Sequence, residues 1–138
     1  MSSERELEEI LSEWTVGSRL ETLKLLDALY FIKYGKHNPE IKEDYPEELA
    51  SKSFIKVVRE KISKTRNELS KKHPSGVVHL YRGGREGESW TTDRKTAEFF
   101  AKGSKVREKD VPIEGILFYI EPYTTVSGEE EYIIEEEG

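Results

Sequence analysis

Three short polar stretches in the last part of this chain hold residue types suited to chemistry. Arg82 closes the run Leu80-Tyr81-Arg82-Gly83-Gly84. A guanidinium forks two hydrogen bonds onto a phosphate or carboxylate, and glycines let a ligand come close to the backbone. Ser89 and Thr91 stand two apart in Ser89-Trp90-Thr91-Thr92-Asp93, so on a strand they share one face and can orient a neighbouring carboxylate. Glu129 and Glu131 are also two apart and open the apolar run Tyr132-Ile133-Ile134. Adjacent carboxylates repel unless a cation lies near, and such a pair suits stabilising an oxocarbenium-like transition state at a sugar carbon. Each motif also has an ordinary explanation: a turn, a polar strand, or a solvated acidic edge that Glu130 and Glu135 to Glu137 would extend. His37, His73 and His79 are scattered, and no metal-ligand spacing is present, so no metal is expected.

The elements that must position these residues follow from periodicity. Ser3 and Glu6 have capping-box spacing ahead of an apolar stripe at Leu7, Ile10, Leu11 and Trp14, which predicts a helix ending at Gly17. Ser18 and Glu21 repeat that spacing. Leu20, Leu23, Leu26 and Tyr30, widened by Leu25, Leu29 and Ile32, carry a second helix to Gly35. Residues 36–44 read as a loop around Asn38-Pro39. Pro46 then opens a long third helix through Leu49, Phe54, Ile55, Val58, Ile62 and Leu69. That helix carries Lys52, Lys56, Arg59, Lys61, Lys64, Arg66, Lys71 and Lys72, which suits an acidic partner or nucleic acid, or simply a solvated face.

After His73-Pro74-Ser75-Gly76 the period changes. Strands are expected at 77–81, 89–92, 113–120 and 131–134, with 113–120 central. Asp93 caps a helix over 94–102 with Ala97, Phe100 and Ala101 inward and Gly103 closing it, and 104–110 reads as charged loop. Trp90 fills the core face opposite the hydroxyls, while His79, Tyr81 and Phe100 are packing residues. The fold class is α+β, a helical N-terminal layer on a mainly antiparallel sheet, as a single domain over 1–138 with a helical part at 1–73 and a sheet part at 77–135.

Composition narrows the class further. The chain has 138 residues, 28 acidic against 22 basic for a net charge of -6, and no cysteine. That balance argues against a dominant nucleic-acid or membrane surface, and disulfide and thiolate chemistry are excluded. No apolar run approaches the roughly 20 residues that span a bilayer, and the first residues have no signal-peptide core, so a cytoplasmic protein is expected.

Taken in order, the three motifs resemble the ADP-ribosyltransferase fold in its Arg–Ser–Glu branch. Members have a strand ending in Arg, often as Tyr-Arg-Gly, then a Ser-x-Ser/Thr strand leading into a helix with Ala and Phe, then a Glu-x-Glu opening an apolar strand. The counterparts are Tyr81-Arg82-Gly83, Ser89-Trp90-Thr91 with Ala97 and Phe100, and Glu129-Glu130-Glu131, with Val111-Pro112 also similar, over about residues 77–135. The resemblance implies a split sheet and NAD+ as the donor, with nicotinamide released and ADP-ribose passed to a protein acceptor. It implies that Arg82 holds the phosphate and ribose region and Gly83 meets the nicotinamide amide. Ser89 holds Glu131, and Thr91 supports the nicotinamide pocket. Glu131 binds the ribose 2′-hydroxyl and stabilises the cation, and Glu129 positions or deprotonates the acceptor. A Glu at 129 goes with arginine acceptors, and Tyr123 in the preceding loop is the expected substrate contact. Such small stand-alone enzymes suit phage or toxin effectors. The alternatives are an NAD+ glycohydrolase, a non-catalytic binding module on the same fold that uses the basic helix, and RNA-directed transfer.

Overall fold

The structure is a computed structural model and describes residues 2–12, 19–83, 89–120 and 131–135. The chain divides into two compact units, 1–61 and 62–138. The architecture is α+β with antiparallel strand pairing. No helix among the described residues is long and apolar enough to cross a membrane.

In the first unit, α1 (Ser3–Ser12) buries Leu7 and Leu11. Its cap is Ser2 rather than Ser3: the Ser2 hydroxyl accepts from the Arg5 amide at 3.2 Å, and Ser3 instead reaches Ser53. Helix α2 (Arg19–Tyr34) buries Leu25 and Ala28, while Leu26 is exposed on the flank, where Tyr30 and Tyr34 stack at 4.5 Å. Trp14, Gly17 and Ser18 lie outside the described residues, as does the Glu21 side chain.

The loop expected at 36–44 is partly helical. Asn38 accepts from the amides of Glu40 and Ile41, and Pro39 follows as first residue of α3 (Pro39–Asp44). Asn-Pro here is a cap and a first-turn proline, not a breaker. Pro46 opens only a short 3-10 helix (Pro46–Glu48). Helix α4 (Lys52–Lys72) starts later, where the Ser51 hydroxyl caps the Phe54 amide. It buries Phe54, Ile55 and Val58 in the first unit and Ile62, Thr65 and Leu69 in the second, one stripe at three- and four-residue spacing.

The second unit holds two small antiparallel sheets. Strand β1 (Val77–Arg82) pairs with β3 (Arg107–Pro112), while β2 (Ser89–Trp90), β5 (Glu131–Ile134) and β4 (Ile116–Ile120) form a sheet in the order β2-β5-β4. The middle strand is therefore β5, not the 113–120 segment, whose first three residues form a 3-10 turn (Ile113–Gly115). Strand β3 occupies much of the expected charged loop. It buries only Val111, so it carries no apolar alternation to betray it. Helix α5 (Arg94–Ala101) begins at Asp93, whose carboxylate accepts from the Lys95 amide. It buries Ala97 and Ala101 and ends at left-handed Lys102 and Gly103. The core joins Leu69, Val78, Leu80, Trp90, Val111, Ile113, Ile116 and Tyr132.

Candidate active site

The three motif segments fall on neighbouring strands. Strand β2 pairs with β5 through Ser89↔Ile133 and Trp90↔Tyr132, and Glu131 opens β5 opposite Ile120 of β4. An isolated bridge joins the two sheets: the Tyr81 amide donates to the Thr91 carbonyl at 2.7 Å, and the Thr91 amide returns a bond at 3.0 Å. Arg82, at the end of β1, thus lies next to β2, which lies next to β5 and Glu131. Ser89 and Glu131 are described as backbone only, and Glu129, Tyr123 and Gly84 lie outside the described residues.

Alternation along β1 fixes where Arg82 points. Val78 and Leu80 are buried and Val77 and His79 exposed, so Arg82 continues the inward set. Its guanidinium carbon sits 5.9 Å from the centre of the Trp90 ring, which is locked in the core as expected. Among the described residues Arg82 has no salt bridge, and its buried Nε has no hydrogen-bond partner. An unsatisfied buried donor costs about 1–3 kcal/mol, and more when charged.

Gly83 and Thr91 have identifiable structural duties. A methyl group added to Gly83 would lie 1.7 Å from the Ala97 carbonyl oxygen, so the close approach that glycine permits here is made by the α5 backbone. Thr91 is buried, and its hydroxyl accepts from the Asp93 amide at 3.0 Å, shaping the turn into α5. Thr91 pairs with Tyr81 and so lies on the face opposite Arg82 and Trp90; these two candidates do not share a side of the sheet. The Phe100 side chain lies outside those described.

On the outer face of β1, His79 is more than a packing residue. Its Nδ1 lies 2.5 Å from Asp110 and its Nε2 3.7 Å from Glu108. The hydrogen bond to Asp110, reinforced by the charges of Asp110 and Glu108, raises its pKa above the ordinary 6.5. The Tyr81 ring meets His79 edge-on at 4.9 Å, and Arg94 lies over Tyr81.

Parts of the basic α4 are occupied within the molecule. Lys61 lies 3.3 Å from Glu8, Arg66 donates to the Ile116 carbonyl, and Lys72 sits over the Tyr119 ring.

Two residues escaped the sequence reading. Asp27 is fully buried, and its carboxylate accepts from the amides of Asn38 and Ala50 and bonds His37 Nδ1. The available signal was its place as the one charged side chain in Leu25-Leu26-Asp27-Ala28-Leu29-Tyr30-Phe31-Ile32. Arg107 stands directly opposite Arg82 in the β1–β3 register; the signal was the strict sign alternation of Arg107-Glu108-Lys109-Asp110. No family model, curated protein or solved structure matches this chain.

Proposed function

We propose that this chain is a mono-ADP-ribosyltransferase of the Arg–Ser–Glu branch, moving ADP-ribose from NAD+ to an arginine side chain on a protein acceptor in the cytoplasm. The observation that carries this reading is the buried Nε of Arg82 at a strand end, which has no hydrogen-bond partner among the described residues and belongs to a group suited to phosphate. The adjacency of β1, β2 and β5, which bear the three motifs, supports it.

In this mechanism Arg82 binds the NAD+ phosphates, and Gly83 lets the end of β1 pack against the α5 backbone. Ser89 orders the nicotinamide side of the site, and Thr91 acts on it only through the turn into α5 that its hydroxyl shapes. The bond from the ribose anomeric carbon to the pyridinium nitrogen breaks, its electron pair neutralises the ring, and nicotinamide leaves. Glu131 holds the ribose 2′-hydroxyl and faces the cation that forms. A carboxylate aimed at that developing charge contributes mainly in the transition state. The acceptor nitrogen, delivered beside Tyr123, closes on the anomeric carbon and loses its proton to Glu129.

Nicotinamide release and protein labelling from NAD+, with a cell lysate as acceptor, test this. Glu131→Gln should cut both by about 100-fold or more. Release without labelling would make water the acceptor and the protein a glycohydrolase. A wild-type protein that neither binds nor consumes NAD+ would sink the enzyme reading and leave a binding module on the same fold.

A further inference from the structure

Strand β3 sorts its charges by side. Arg107-Glu108-Lys109-Asp110 alternates in sign, and a strand sends successive side chains to opposite faces. The register pairs Glu108 with Tyr81 and Asp110 with His79, so both acids stand on the outer face, where His79 bonds one and lies near the other. It pairs Arg107 with Arg82 and Lys109 with Leu80, so both cations stand on the inner side that Arg82 shares.

The outer acids therefore have a local histidine partner, but the inner cations have no counterpart among the described residues. Neither Arg82 nor Arg107 forms a salt bridge among the described residues. Directly opposed side chains on an antiparallel pair start about 5 Å apart, and like charges there destabilise the pair. Such a pair is unfavourable by itself and favourable around an anion. Burial grades along the same side: Val78 and Val111 are buried, Leu80 is buried opposite exposed Lys109, and half-buried Arg82 stands opposite exposed Arg107. The inner face thus passes from apolar core to an open, doubly cationic end.

We propose that Arg107 is the second arginine of a diphosphate-binding pair, closing with Arg82 on the two phosphates of a dinucleotide or of free pyrophosphate, with Lys109 alongside. The Trp90 ring lies beside the Arg82 guanidinium, 5.9 Å from its central carbon, and accepts no hydrogen bond from it in the ring plane. This rests on Arg82 as the phosphate-binding residue above, and extends the site to a strand that carries none of the three motifs.

The test is titration calorimetry with pyrophosphate, together with NAD+ turnover and thermal melts, on wild type, Arg107→Ala and Arg107→Lys. Arg107→Ala should weaken pyrophosphate binding about tenfold, since charge-assisted forked bonds are lost. Arg107→Lys should recover part of that affinity. With no ligand, Arg107→Ala should melt about 1–3 °C higher, because a like-charge pair is relieved. In turnover, KM for NAD+ should rise while kcat holds. A purely structural arginine would lower the melting point and leave the affinity of the folded protein alone, and that result would overturn the proposal. Wild type failing to bind pyrophosphate at millimolar concentration would overturn it too. Pyrophosphate binding that depends on Arg107 without NAD+ turnover would keep the pair and sink the transferase. NAD+ turnover indifferent to Arg107 would do the reverse.

Discussion

Asp27 and Arg82 each place polar atoms out of water, and the protein treats them oppositely. Asp27, in the first unit, has its carboxylate filled by two backbone amides and a histidine. Arg82, in the second, keeps a buried nitrogen with no partner among the described residues. Desolvating a charge is costly unless its hydrogen bonds are replaced. A saturated buried charge fixes structure, tying α2 to the start of α3 and to Ala50 ahead of α4. An unsaturated one is tolerated where something else completes it. The contrast separates a structural acid from a candidate functional base without reference to any motif.

The largest effect is expected for Asp27→Ala. It should lower unfolding free energy by about 3 kcal/mol, because it strands three donors at once; denaturant melts measure it. If stability barely moved, saturation would not mark structural importance here. Arg82→Ala should change stability by less than about 1 kcal/mol in either direction, since lost stacking on Trp90 offsets relief of an orphan donor, while removing NAD+ and pyrophosphate binding. A large loss of stability would mean that Arg82 holds the core end together.

The smallest effect belongs to His79, an exposed imidazole with carboxylate partners and so an intermediate case. Its folded pKa is raised, so its contribution is full below the unfolded value of 6.5 and fades as pH rises through the higher folded value. NMR titration should place its midpoint above 6.5 in the wild type and return it toward 6.5 in Asp110→Asn. A midpoint that ignores Asp110 would remove the pair from consideration.

How much of this was legible follows from which signals are local. The Asp93 cap, the end of α5 near Gly103, the inward Trp90 and the motif strands were readable because each is set by residues within a few positions. Strand β3 was not: its pairing with β1 is the reason it is a strand, and its charges imitate a loop. The middle place of β5 was hidden for the same reason, since apolar content marked 113–120 as the stronger strand while pairing put 131–134 between neighbours. Asp27 was hidden because an acid on a helix is read as solvated unless its donors are known, and those come from segments 10 to 23 residues away. For the candidate site, the sequence supplied Arg82 and its neighbouring strands, but not Arg107, which sits on the strand that was missed.

The place of β5 also has a consequence for biosynthesis. It lies between β2 and β4 yet follows both in the chain. While the polypeptide is being made, the middle slot of that sheet stays vacant and two strand edges stay open. Glu131 is the first residue to fill the slot. A partly synthesised chain therefore lacks the carboxylate on which the proposed chemistry depends, and catalytic competence would arrive only with the closing of the sheet.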